Sequence, residues 1–304
     1  MTGAHSDPIV PAPAAHPASA PVPRPSGAPG EAPRFRSASM RVLDLSLGQM
    51  LWSRRTIFLA LVVGSPLALG LLFRILSAFG VSGAMRAGGV AMGGPAIFGS
   101  MVWLLYLRFI VPVLGVFYGT ALIADEVEDK TVTYLFVRPI PRSAVLVGKY
   151  LAYLVTTACV VLPSVVLLYL LVAPLGNGSL AGAFPALVKD LALLGIGLAA
   201  YGALFAFIGA RFKHPLVTGL VFAFGWEQVA LMLPGYLRRV TIAYYLQSLV
   251  PHSMPAGGLG SALQSLFRDA PPVWVSLAWL AGCVVVFLAL AARATGCREY
   301  VLDQ

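Results

Sequence analysis

The sequence predicts an all-α membrane protein. Six transmembrane helices follow an N-terminal interfacial amphipathic helix. A short cytoplasmic helix joins spans 2 and 3, and a segment between spans 5 and 6 can re-enter the membrane. Three observations carry this. The 304 residues are 59% apolar and only 11% charged, with a mean hydropathy of +0.85, against about 25% charged residues in soluble domains. The apolar residues fall in continuous runs long enough to span a bilayer, without the alternation of a barrel strand. The basic residues are concentrated on alternate connections. A soluble enzyme, a disordered chain and a nucleic-acid-binding domain all fit this composition poorly, and the net charge of +9 reads as membrane-flanking charge, with lipid rather than nucleic acid as the partner.

Residues 1–33 hold nine of the 23 prolines, mixed with Ala, Ser and Gly, and no signal-peptide core. This stretch is expected to be a disordered cytoplasmic tail, either a solvated extension or a partner-binding arm. The remainder, 34–304, forms the second domain and carries the six expected spans. Within 34–56, Met40, Leu43, Leu47 and Leu51 recur at helical spacing beside Arg36, Arg41, Arg54 and Arg55. That pattern suits a helix lying at the membrane surface with Trp52 at headgroup level, or alternatively a soluble cytoplasmic helix.

The expected spans are Ile57–Leu76, Ile97–Ala124, Ala144–Ala173, Leu187–Ala210, Leu216–Pro234 and Val273–Arg293. About 20 apolar residues at 1.5 Å each cross the hydrocarbon layer. Pro66, Pro112 and Pro163 fall inside spans, where they kink a helix or free a carbonyl. Fourteen of the 21 basic residues lie on the side of the N-terminus and of the 2–3 and 4–5 connections. The positive-inside rule then puts both termini in the cytoplasm. Arg238 and Arg239 fit this orientation worst. Residues 235–272 form the longest external segment, with Tyr244, Tyr245 and Leu246 around a short helix. Irregular backbone there can enter the membrane only if buried in protein or wet.

One cytoplasmic connection has a distinct signature. Four of the 12 acidic residues, Asp125, Glu126, Glu128 and Asp129, directly follow span 2. Val132, Leu135 and Phe136 come next at i, i+3 and i+4, and Pro139 and Pro141 end the helix they describe. An acidic start and an apolar end suit a finger that docks into a groove on a cytoplasmic partner, or a solvated turn resting on the membrane surface.

Two charges lie within spans, Arg108 and Glu227. A charge at the bilayer centre costs about 2.5–3.5 kcal/mol on insertion scales. These residues therefore either line a translocation pathway or pair structurally near an interface. No G-x-x-x-x-G-K-[ST], H-E-x-x-H, C-x-x-C or G-x-S-x-G pattern occurs, so neither a catalytic nor a metal site is expected. The three cysteines, Cys159, Cys283 and Cys297, are expected to be small apolar residues.

The run Glu126-Val-Glu-Asp-Lys-Thr131, continuing through Leu135-Phe136-Val-Arg138-Pro139-Ile-Pro141-Arg142 to Gly148-Lys149, resembles the cytoplasmic coupling segment of type-2 ATP-binding cassette exporter permeases. Lys130 departs from the Gly common in that family. The acidic run and the Arg-Pro-Ile-Pro-Arg stretch lean towards the subgroup that includes nitrous-oxide-reductase maturation permeases. The resemblance covers roughly residues 34–304. It implies a permease in the bacterial cytoplasmic membrane, not itself an ATPase and with no cofactor of its own. ATP and Mg would be held by a separate ATPase subunit, and a second permease chain, identical or not, would complete the unit. It assigns ATPase coupling to Glu126, Glu128, Thr131, Leu135, Phe136, Arg138, Pro139 and Arg142. The alternative function is a non-transporting scaffold or sensor that recruits a cytoplasmic partner through 125–143.

Overall fold

The computed structural model describes residues 54–80, 86–87, 90–91, 93–122, 142–175, 179–232, 237–250 and 271–297. Five of its helices are long and apolar enough to cross a membrane. They lie in α1 (Arg54–Ala78), α2 (Gly94–Gly119), α3 (Arg142–Val172), α4 (Leu180–Arg211) and α7 (Val273–Cys297). Between α4 and α7 lie the apolar helix α5 (Pro215–Leu231) and the short α6 (Ile242–Ser248). A two-residue antiparallel pair, Arg86–Ala87 with Val90–Ala91, sits in the connection before α2.

The fifth expected span, Leu216–Pro234, is represented by the apolar helix Pro215–Leu231, so the described residues hold five candidate spans of full length, and a sixth is not among them. Glu227 and Gln228 place polar groups in its last described turns, and both turn towards other helices. The surface helix expected over 34–56 lies outside the described residues up to position 53, and Arg54 and Arg55 already belong to α1. The finger at 123–141 and most of the re-entrant stretch, 251–270, also lie outside them.

Local chemistry explains the helix ends. Gly80 supplies the left-handed turn (φ +74) after α1. Ser179 caps α4 by accepting from the Gly182 N–H at 3.2 Å, and Thr241 caps α6 by accepting from Tyr244 N–H at 3.3 Å. Pro66 removes the donor that would serve the Val62 carbonyl, and Ser65 Oγ donates to that carbonyl instead at 2.8 Å. The helix runs on through Pro66, as α3 does through Pro163.

α4 is the centre of the bundle, packed against α2, α3 and α7. Its approach to neighbours depends on small residues, as expected where lipid removes the hydrophobic drive for helix association. Gly202 lies against the Tyr153 ring of α3, and Gly209 against the Thr120 carbonyl after α2. Gly115 and Gly119 of α2 in turn receive Phe205. Tyrosine hydroxyls then tie α3 to α4: Tyr150 donates to the Ala199 carbonyl at 2.8 Å and Tyr153 to that of Leu198 at 3.1 Å. α1 and α7 keep apolar side chains such as Ile57, Leu61, Trp274 and Val285 exposed, which suits lipid contact. Cys159 is exposed on α3 and Cys283 buried in α7, and both are free thiols.

Candidate functional site

Arg108 sits on a π-helical stretch of α2, Val102–Ile110, and a second such stretch in α5, Val221–Trp226, ends one residue before Glu227. π turns insert a residue into a helix and shift which side chains share a face. Arg108 Nε and Nη2 both donate to Gln228 Oε1, at 3.0 and 2.5 Å. The guanidinium carbon also lies 5.6 Å from the centroid of the Trp103 ring, within cation–π range. A ring contact between Phe109 and Phe224, 5.9 Å between centroids, closes the same α2–α5 seam.

Glu227 addresses other neighbours. Successive helical residues point about 100° apart, so Gln228 reaches α2 while Glu227 turns into the bundle, where it is 1% exposed. Tyr201 of α4 donates its hydroxyl to Oε2, and the Ala243 N–H of α6 donates to Oε1 at 3.4 Å. One carboxyl group thus joins α4, α5 and α6. The two charges do not pair with each other. α6 is held further by Leu246 against Gly197, by a Ser248–Ser276 hydroxyl contact of 3.0 Å and by the Tyr245–Trp279 rings. α6 therefore packs against α4 and α7, two of the candidate spans.

The root of the finger is also built. Lys149 Nζ in the second turn of α3 donates to the Leu122 carbonyl at 3.2 Å, bridging the two helices from which 123–141 emerges. Ala144, Val145 and Leu146 of the first α3 turn are buried.

A family model described as ABC-2 family transporter protein matches residues 40–298. The chain belongs to the ABC-2 transporter family. It is an integral membrane permease component, without ATPase activity of its own. ABC-2 permeases generally pair with an ATPase subunit, and that subunit binds the ATP. No curated protein matches the chain significantly.

Of the residues singled out in the sequence of this ABC-2 permease, Glu126, Glu128, Thr131, Leu135, Phe136, Arg138 and Pro139 lie outside the described residues. Arg142 opens α3. Arg108 and Glu227 lie on neighbouring helices and are brought to one region, linked through the adjacent Gln228 instead of directly. Sequence reasoning missed Gln228, Tyr201 and the α6 backbone as their partners. A polar Gln next to a buried Glu in an apolar helix was the available signal, since the rule that intramembrane polar groups find partners applies to both.

Proposed function

We propose that this ABC-2 permease is an exporter subunit of the bacterial cytoplasmic membrane, driven through the finger at 125–143 by a separate ATPase. The observation that carries the reading is the charge-dense, apolar-ended connection between α2 and α3, with its base clamped by Lys149 on the Leu122 carbonyl. Glu126, Glu128 and Thr131 present polar groups to the ATPase. Leu135 and Phe136 fill its groove, and Arg138, Pro139 and Arg142 set the return into α3. Two permease chains and two ATPases form the working unit, and α5 with the residues beyond it serves as the sixth crossing. Both termini then face the cytoplasm, as the 14 basic residues on that side support. Among ABC-2 permeases, the Arg138-Pro139-Ile140-Pro141-Arg142 stretch favours the nitrous-oxide-reductase maturation subgroup.

In this reading ATP binds one arrangement of the fingers better than the other, and that difference moves the spans. Arg108, with its exposed edge, lies on the route, and Glu227 stands behind it, holding the α4–α5–α6 junction. The test is detergent co-purification with the ATPase encoded beside this chain. Glu126→Ala and Leu135→Asp should lose the ATPase while inserting normally. Full recovery of the complex with both variants would refute the docking role. Impermeant labelling of Thr131→Cys from the outside would refute the orientation.

A further inference from the structure

The α2–α5 seam carries a positive charge with no counter-ion among the described residues. Among the described residues Arg108 makes two hydrogen bonds to the neutral Gln228 amide and one ring contact with Trp103, and no ion pair with a carboxyl group. Glu227, which adjoins Gln228 on α5, is committed to Tyr201 and Ala243. Arg108 Nη1 has no hydrogen-bond partner among the described residues, yet it is not among the sealed, unsatisfied polar atoms, so that edge of the guanidinium is open. Around it the seam is apolar and exposed: Leu104, Phe109, Phe224 and Trp226 all present surface.

A structural arginine at this depth would be expected to face a carboxyl group, because an uncompensated intramembrane charge costs about 2.5–3.5 kcal/mol. Here the fork is oriented by Gln228 and Trp103 but its charge is left uncancelled. Guanidinium groups recognise planar or tetrahedral oxyanions through paired N–H donors. Resting on the reading that Arg108 lies on the route, we infer that it is the recognition group for an anionic head on an otherwise apolar or aromatic molecule, a phosphate, sulfonate or carboxylate whose body lies along Phe109, Phe224 and Trp226. The same oxyanion chemistry can come from transported cargo or from the headgroup of an anionic lipid.

The test uses the full chain in phosphatidylcholine nanodiscs, without its ATPase, and three dansyl probes that share one linker. Their heads are phosphate, hydroxyl and trimethylammonium, and binding is read as energy transfer from tryptophan to dansyl. The phosphate probe should bind at least about tenfold more tightly than the other two. Arg108→Gln should abolish that preference, and Arg108→Lys should keep most of it. Gln228→Leu, which frees the fork but keeps the charge, should weaken it. Equal affinity for the neutral probe, or an unchanged phosphate preference in Arg108→Gln, overturns the inference. Repeating the titration with phosphatidylglycerol in the disc separates the sources. Displacement of the phosphate probe assigns the oxyanion to lipid, and its retention assigns it to cargo. Because no ATPase is present, a failure here leaves the finger-docking result standing, and the converse also holds.

Discussion

The Glu227 junction gives the most quantitative prediction. Its carboxyl group accepts from two donors on two other elements, Tyr201 Oη of α4 and the Ala243 N–H of α6. Replacing Tyr201 by Phe removes one of these bonds without opening a large cavity. Net hydrogen bonds in proteins are worth about 0.5–1.5 kcal/mol, rising to about 1.5–3 when one partner is charged. Side-chain bonds between membrane helices average lower, about 0.6 kcal/mol with a maximum near 1.7. The Tyr201–Glu227 pair is buried on both sides, so the upper part of the membrane range applies and Tyr201→Phe should cost about 1–1.5 kcal/mol. Glu227→Ala should cost more, about 2–4 kcal/mol, because it orphans both donors and leaves a void. The double variant should fall short of the sum by about 1 kcal/mol, the coupling of the pair. Unfolding by sodium dodecyl sulfate in mixed micelles, followed by far-ultraviolet circular dichroism, measures all three. Additivity within about 0.3 kcal/mol would refute the bond as a stabilising contact.

Other contacts make sharper single tests. Gly202→Leu forces a side chain into the Tyr153 ring and should destabilise the α3–α4 pair by about 1–3 kcal/mol in the same unfolding assay. Ser65→Ala leaves the Val62 carbonyl beside Pro66 without a donor and should cost about 1 kcal/mol, with Ser65→Thr restoring most of it. Lys149→Met removes the clamp on Leu122 while keeping the stem, and should change stability by less than about 1 kcal/mol. If the clamp transmits force, the same variant should still bind the ATPase but stimulate its turnover less, as read by phosphate release in proteoliposomes.

The sequence made the long spans legible because burial in lipid imposes one simple requirement, an unbroken apolar run that satisfies its own backbone. α1, α3 and α7 therefore start and stop within a few residues of the expected limits. The exceptions have physical causes. α4 begins at Leu180, seven residues before the expected Leu187, because Ser179 caps it there and Pro185 is absorbed inside it. In α5, the polar side chains of Glu227 and Gln228 find partners within the protein. Composition cannot reveal that, since the partners are a tyrosine 26 residues away and a backbone N–H 16 residues away. The intramembrane charges were visible as charges, but their partners were not: pairing Arg108 with Gln228 spans 120 positions and depends on the phase of two π-helical stretches.

These contacts line up along a single route through the bundle. The finger leaves from Leu122 and returns at α3, and Lys149 ties the two exits together. One turn further along α3, Tyr150 and Tyr153 bond to carbonyls of α4. α4 then carries Tyr201, only two and three residues beyond those carbonyls, to the carboxyl group that also holds α5 and α6. The neighbouring Gln228 sets the Arg108 fork on α2. The steps alternate hydrogen bonds between packed helices with short stretches of α4 and α5, so in the proposed mechanism a shift at the base of 123–141 would reach the α2–α5 seam through close-packed contacts. Coupling of this kind requires two discrete arrangements of the shared element, and α4 is the element that every step shares or adjoins. Among the described residues α1 and α7, the helices that bury the least, join this network at one side-chain bond each, Arg74 to the Leu171 carbonyl and Ser276 to Ser248, so variants at Tyr150, Tyr153 and Tyr201 test the route more directly than changes on α1 or α7.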